Sequence, residues 1–126
     1  MGDGAGIYNA GRLTLLNSTV SDNLTVHTGV GAGIYNKGGG GVHCFIENST
    51  IYNNLGDIAG IYSEADSFIM RNSTVSGNQD NGVALLSGAS VNPRHIQLES
   101  STITDNTATF GAGLLVITFN PVSLAS

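Results

Sequence analysis

Few residues of this chain have the chemistry of a catalytic or metal-binding site, and those few are scattered. The 126 residues include nine acidic side chains, three histidines and one cysteine. His27, His43 and His95 lack the spacing of metal ligands, and Cys44 would face away from its neighbour His43 on a strand. The sequence therefore favours no catalytic residue, no metal and no cofactor, with Cys44 as a small buried apolar side chain.

The best candidates for acid–base chemistry are Glu47, Arg71 and Glu99, which occupy one position in three successive repeats of the sequence. Two carboxyl groups about 5–9.5 Å apart can cleave a glycosidic bond. In a stack of parallel strands the two glutamates would lie about 9.6 Å apart. Arg71 would fill the space that substrate or water needs, so the column indicates an exposed ion-pair ladder. We expect no hydrolase or lyase activity.

The composition is typical of extracellular β-structure and excludes some partners. Charged residues make up 10% of the chain, the net charge is −5, and there are 18 glycines. Four cationic side chains cannot form a stripe that follows nucleic-acid phosphates. The apolar stretch at residues 114–119 is too short to span a bilayer. We expect an extracellular or bacterial cell-surface location, and the first residues do not form a signal peptide.

Two short motifs repeat along the chain. The first is Gly-Ile-Tyr at residues 6–8, 33–35 and 60–62, with weaker copies that begin at Gly82 and Gly113. The steps between these copies are 27, 27, 22 and 31 residues. The second motif is Asn-Ser-Thr followed by Val or Ile, and it ends three residues later in another asparagine. Such self-similarity indicates a repeat architecture with one structural unit per period.

Between the motifs, apolar residues alternate with polar ones, which is typical of strands with one buried face. The abundant Gly, Ser, Thr and Asn are poor helix formers, so helical repeats are excluded. We predict an all-β fold, a right-handed parallel β-helix of about four coils with three short strands each. Residues 1–126 would be a single segment, interpreted as a fragment of a longer solenoid. The predicted inward positions include Leu13, Cys44, Phe68 and Ile96, and also Ile34, Ile51, Val75, Leu98 and Ile103.

The paired motifs resemble the repeats of a group of bacterial surface proteins. Gly-Ala-Gly-Ile-Tyr followed by Val-x-x-Asn or Ile-x-x-Asn is similar to the GGA(I/L/V) and FxxN repeats of polymorphic outer-membrane proteins and autotransporter passengers. The similarity runs from residue 4 to about residue 113, with Val or Ile in place of Phe. The resemblance implies a secreted or surface-exposed β-helix with a role in adhesion or display.

Seven asparagines are predicted to form structural ladders, in which stacked copies bond to one another and to turn backbone groups. Four asparagines also begin Asn-x-(Ser/Thr) sequons for glycosylation, at Asn17, Asn23, Asn48 and Asn72. We expect these side chains to point inward, where most could not be modified. The ladders comprise Asn17, Asn48 and Asn72 in the first series and Asn23, Asn54, Asn78 and Asn106 in the second.

Two further columns are predicted to face solvent. Tyr8, Tyr35 and Tyr62 would form an exposed aromatic column, because the isoleucines before them point into the core. Such a stripe either binds sugar rings or a protein partner or simply stabilises the sheet through neighbour contacts. The other column is a hydroxyl array that resembles ice-binding solenoids, although a tyrosine interrupts it. It comprises Thr19, Thr50, Thr74 and Thr102, paired with Ser21, Tyr52, Ser76 and Thr104.

These patterns leave three functions open. The first is a non-catalytic surface or secreted module for adhesion, display or a structural stalk. The second is a segment of a carbohydrate-active β-helix of the pectate-lyase type, or a carbohydrate-binding module. The third is an ice-binding solenoid. The expected partners are a polysaccharide or a host or cell-surface protein, and exposed strand edges favour further β-helix coils or end-to-end self-association.

Overall fold

A computed structural model of the chain describes residues 6–26, 30–38, 41–58, 60–86, 94–117 and 122–125. Within these ranges the chain forms short strands joined by tight turns and longer loops. The strands are β1 (Ile7–Asn9), β2 (Leu13–Leu16), β3 (Thr19–Ser21), β4 (Ile34–Asn36), β5 (His43–Glu47), β6 (Thr50–Tyr52), β7 (Ile61–Ser63), β8 (Ser67–Arg71), β9 (Thr74–Ser76), β10 (Val83–Leu86), β11 (Arg94–Glu99), β12 (Thr102–Thr104), β13 (Leu114–Ile117) and β14 (Val122–Ala125).

The strands assemble into three parallel sheets. The first sheet has the order β1-β4-β7-β10-β13, the second β14-β11-β8-β5-β2, and the third β12-β9-β6-β3. Paired strands are three places apart in the chain, so each complete coil contributes one strand to each sheet. The predicted all-β solenoid with three strands per coil is therefore confirmed.

The register of the coils follows the sequence motifs. Ile7 pairs with Ile34, and Ile34 with Ile61. In the second sheet Cys44 lies between Leu13 and Phe68. A one-residue slip would turn every apolar side chain to the wrong face, so the alternating pattern fixes the register strongly.

The core runs along the axis of the solenoid between the three sheets. Six of the nine predicted inward positions are buried, and the other three are partly buried against the core. The buried six are Ile34, Cys44, Ile51, Phe68, Val75 and Ile96, and the partly buried three are Leu13, Leu98 and Ile103. Each fully buried aliphatic side chain contributes about 1.5–3 kcal/mol to stability. The largest of these side chains are Phe68, Ile34, Ile46, Ile51, Ile61, Met70, Leu85 and Ile96.

One hydrogen-bonded asparagine ladder follows the third sheet. It consists of Asn23, Asn54, Asn78 and Asn106, and each amide Nδ2 donates to the Oδ1 of the next asparagine at 2.9 Å. The backbone N–H groups of Asn23, Asn54 and Asn78 donate to the same Oδ1 atoms, at 3.0–3.2 Å. The glycines of the first motif leave room for this ladder. A Cβ on Gly33 would lie 2.9 Å from Asn54 Nδ2 and 2.5 Å from the Gly60 carbonyl oxygen.

A serine ladder, which the repeat pattern did not predict, lies at the opposite end of the strands of the third sheet. The N–H groups of Ser18, Ser49 and Ser73 donate to the Oγ of the serine in the next coil, at 3.1–3.3 Å. Each of these hydroxyls donates in turn to the carbonyl two residues earlier, as from Ser73 Oγ to Arg71 O at 2.6 Å. The Ser of Asn-Ser-Thr is therefore the inward residue of that motif.

The first asparagine series contradicts its predicted orientation. Asn17, Asn48 and Asn72 have exposed side chains and positive φ angles of 48°, 50° and 46°. The left-handed backbone reverses the chain before each strand of the third sheet, and asparagine tolerates this conformation better than most residues. A second left-handed turn follows each of these strands, for example at Asp22 with φ 58°. The predicted inward ladder of Asn17, Asn48 and Asn72 was thus wrong, and burial does not exclude modification of their sequons.

Candidate functional site

The aromatic column forms in the first sheet, but most of it is covered. Tyr8 pairs with Tyr35 and Tyr35 with Tyr62, and their rings meet edge to face with centroids 5.3 and 5.0 Å apart. Tyr8 is 50% exposed, whereas Tyr35 and Tyr62 are only 7% and 8% exposed. The prediction of an exposed column is therefore wrong for two of its three members.

The cover over the tyrosines comes from loops that lie on the outer face of the first sheet. Val30 and Ile58 pack against a second apolar cluster that contains Tyr35 and Tyr62. Both tyrosine hydroxyls donate to Glu64 Oε1, at 3.3 and 3.2 Å. This packing and hydrogen bonding give the two tyrosines a structural role, and Tyr8 alone of the three offers an open ring face for a ligand.

The charged column is only partly an ion-pair ladder. Strand pairing places Glu47, Arg71 and Glu99 side by side in successive coils, as expected. Arg71 Nε lies 2.9 Å from Glu99 Oε2, and both side chains are substantially exposed. The Arg71 guanidinium also lies 5.9 Å from the centre of the Phe45 ring. Such exposed pairs contribute about 0–1 kcal/mol, so this arrangement is a weak structural contact.

Cys44 lies in the core. It is 1% exposed, and burial raises the pKa of its thiol to about 12. The neighbouring His43 is exposed on the opposite face of the strand. Because the thiolate is the nucleophilic form, a buried thiol with so high a pKa is unreactive.

A groove lies beside the asparagine ladder. The residues immediately after the ladder asparagines stack in successive coils, and bridges join Leu24 to Leu55 and Gln79 to Thr107. All four side chains are exposed. The groove along this row has a volume of about 580 Å³ and includes Thr25 and Thr109 in its walls.

Two carboxylates lie in the groove, in neighbouring coils. Asp57 is exposed, and the half-buried Asp80 accepts a hydrogen bond of 3.5 Å from the Ile58 N–H. No cationic side chain is among the described residues that line the groove. Leu55 and Ala108 give the groove apolar contacts, and Gln79, the threonines and the two aspartates give it polar ones.

Sequence reasoning overlooked this groove because its acids occupy different offsets from the ladder. Asp57 follows Asn54 by three residues, whereas Asp80 follows Asn78 by two. An alignment of the repeats on these asparagines reveals the row of residues that follows them. It does not show that the two aspartates lie in one groove. In the part of the chain that the structure describes, no cluster of three or more His, Cys, Asp or Glu residues is arranged to hold a metal ion.

Comparison with known proteins identifies the fold family. No curated protein and no solved structure matches the chain significantly. Among the described residues, no helix is long and apolar enough to cross a membrane. The model of the right-handed β-helix region matches residues 1–108, which is most of the chain and includes the first four strands of every sheet. The chain therefore belongs to the right-handed β-helix family.

Proposed function

We propose that the chain is a non-catalytic β-helix module of a secreted or surface-exposed protein, and that it binds an extended polysaccharide in the groove. The observation that carries this proposal is the row of exposed residues that follows the asparagine ladder across successive coils. A groove parallel to the solenoid axis suits a long chain better than a compact molecule, because each coil repeats the contact about every 4.8 Å.

The chemistry of the groove suits a sugar ring, which has apolar faces and hydroxyl edges. Leu55, which is 44% exposed, and Ala108 offer apolar contact. Gln79, Asp57 and Asp80 offer hydrogen-bond partners for hydroxyl groups, and bonds to charged acceptors contribute about 1.5–3 kcal/mol. The two carboxylates repel acidic sugars, so the proposed ligand is a neutral polysaccharide or one that carries amino groups.

The proposal of a binding module without catalysis is supported by the surroundings of the acids. Glycoside hydrolysis uses one carboxyl as proton donor and a second as nucleophile or base, placed on either side of the bond. Asp80 is engaged with the backbone at Ile58, and Asp57 is open to solvent. In the other column of acids, Glu99 is paired with Arg71.

The test measures the affinity of the purified chain for a panel of neutral, amino-containing and acidic polysaccharides by isothermal titration calorimetry. The variants Asp57→Asn and Asp80→Asn should each weaken binding of the preferred polysaccharide by about tenfold. Asp105→Asn is the matched control, because Asp105 is an exposed acid at a left-handed turn outside the groove. Its affinity should stay within about twofold of the parent chain.

Three results would overturn the proposal. The first is equal weakening by the groove and control variants. The second is loss of binding on Tyr8→Ala with both aspartates intact, which would move the site to the open end of the aromatic column. The third is depolymerisation of the bound polysaccharide that Asp57→Asn abolishes, which would make the groove an active site.

A further inference from the structure

Four asparagines of the chain begin Asn-x-Thr sequons, and the structure divides them into two kinds. In the first kind the side chain is exposed at the left-handed corner before a strand of the third sheet, and its members are Asn17, Asn48 and Asn72. The second kind has one member, Asn23, the first rung of the asparagine ladder. Its Nδ2 donates to Asn54 Oδ1 at 2.9 Å and to Ser21 O at 3.0 Å. A Cβ on Gly6 would lie 2.8 Å from this nitrogen, so no space for a sugar remains beside it.

The backbone of the exposed corner does not require asparagine. The corner N–H donates to a carbonyl of the next coil, as from Asn48 to Arg71 O at 3.1 Å, so the main chain holds the turn. In the fourth coil Ser100 has the same conformation, with φ 47°. The corner at the other end of the same strands is also left-handed, and it is occupied in turn by Asp22, Asn53, Gly77 and Asp105. A left-handed backbone alone therefore does not account for three asparagines in one column.

The threonines of the exposed sequons are placed where a transferase can contact them. They are Thr19, Thr50 and Thr74. Each precedes a buried residue of the same strand, as Thr50 precedes Ile51, and neighbouring residues of a strand face opposite sides of the sheet. The threonines therefore lie on the outer face of the third sheet. By contrast, Thr25 in the sequon of Asn23 is only 6% exposed.

We propose that Asn17, Asn48 and Asn72 carry N-linked glycans in the folded chain and that Asn23 does not. The donor is a lipid-linked oligosaccharide diphosphate, and the catalyst is an oligosaccharyltransferase of the secretory pathway. The amide nitrogen of the asparagine attacks the anomeric carbon of the first sugar. A carbon–nitrogen bond forms, the bond from that carbon to the diphosphate oxygen breaks, and the amide proton passes to a base of the transferase.

Glycans at these three corners are compatible with the fold and with the groove. They extend from the surface, and the ladders keep their hydrogen bonds, as between Asn54 and Asn78. The corners precede the strands of the third sheet, whereas the groove lies beyond the ladder asparagines at the other end of these strands. This inference rests on the secreted or surface location in the proposed function, and it is independent of polysaccharide binding.

In the test, the full chain is secreted from a eukaryotic host cell by means of a fused signal peptide, so the result does not depend on the natural export of the chain. The secreted product is unfolded and treated with peptide-N-glycosidase in ¹⁸O-labelled water, which converts each glycosylated asparagine to a labelled aspartate. Peptide mass spectrometry then locates the label. We expect label at Asn17, Asn48 and Asn72 and none at Asn23.

Matched variants assign each glycan to its sequon. Thr50→Val keeps the asparagine and the strand but removes the hydroxyl, so it should abolish the glycan at Asn48 alone. Thr74→Val makes the same test at Asn72 if Thr50→Val does not fold. The control is Thr102→Val, at the equivalent position of the fourth coil, which has no sequon and should change nothing. Absence of label at all three exposed sequons, label at Asn23, or a glycan that persists after its threonine is replaced would overturn the proposal.

Discussion

Replacement of one internal rung of the asparagine ladder should destabilise the solenoid far more than replacement of its first rung. Asn54 is 1% exposed, and its side chain bonds in three directions. Its Oδ1 accepts from the side-chain amide and the backbone N–H of Asn23, and its Nδ2 donates to Asn78 Oδ1 at 2.9 Å and to the Val20 carbonyl at 3.2 Å. The change Asn54→Ala removes all four hydrogen bonds at once and introduces no new group.

The magnitude follows from the groups that lose a partner inside the protein. The Val20 carbonyl and the Asn78 amide oxygen each lose a donor, and the Asn23 N–H and side-chain amide lose their acceptor. A buried unsatisfied group costs about 1–3 kcal/mol. Asn78 Oδ1 keeps the hydrogen bond from the Asn54 backbone N–H, so the cost of losing its other donor lies at the low end of that range. We expect Asn54→Ala to lower the free energy of unfolding by about 3–4 kcal/mol. That is a large part of the roughly 5–15 kcal/mol that stabilises a domain.

The control is Asn23→Ala in the first coil. Asn23 is partly exposed and donates to Ser21 O and Asn54 Oδ1, but no described residue donates to its own amide oxygen. Water can replace part of these contacts, so Asn23→Ala should lower the free energy of unfolding by about 1 kcal/mol. Urea unfolding followed by far-ultraviolet circular dichroism gives both values. If the two variants were equally stable, the ladder would not be a buried polar network and the reasoning would be refuted.

Three further predictions concern the core and the charged column. Ile61→Asp buries an unpaired charge and should unfold the chain, whereas Ile117→Asp, at a side chain 46% exposed, should leave a cooperative thermal transition. Because burial raises the pKa of Cys44 from 9.0 to about 12, the unfolded state releases this proton first as pH rises. The free energy of unfolding should therefore fall between about pH 9 and 12, by up to about 1.4 kcal/mol per pH unit, and Cys44→Ala should remove that part of the slope in urea titrations. Arg71→Ala should cost about 1 kcal/mol or less by the same titration, and a cost above about 3 kcal/mol would contradict the view of the Arg71–Glu99 pair as an exposed contact.

The register of the solenoid could be predicted from sequence because its determinants are local and repeated. Alternation places Cys44 and Ile46 on one face and Phe45 on the other, and the structure has the same arrangement. Each coil must present the same face to the axis, so an error in one coil would conflict with its neighbours. Five aligned copies of one motif therefore carry more information than any single strand.

The orientation of turn residues could not be predicted from the same alternation, because a left-handed residue interrupts it. Asn17 and Ser18 are neighbours, and the alternation gave the inward place to the asparagine. The positive φ at Asn17 turns its side chain to solvent and leaves Ser18 to form the ladder. The burial of Tyr35 has a different origin, because it depends on Val30 and Ile58, which lie in loops of unequal length outside the repeated motifs. Contacts of this kind depend on the path of each loop, which a repeat does not specify.

The division between repeated and variable positions bears on the proposed polysaccharide binding. The motif glycines are needed for close packing, and the ladder serines and the asparagines of the second series bond to one another, so these positions are unavailable to a ligand. The residue after each ladder asparagine is exposed and takes no part in the ladder, and it changes from Leu24 and Leu55 to Gln79 and Thr107 along the axis. The backbone of this row is the same in every coil, whereas its exposed side chains differ. The polarity of the surface therefore changes along the axis, but its geometry does not. A β-helix can thus vary the surface that it presents without altering how it folds, and the proposed binding groove is one such surface in this chain.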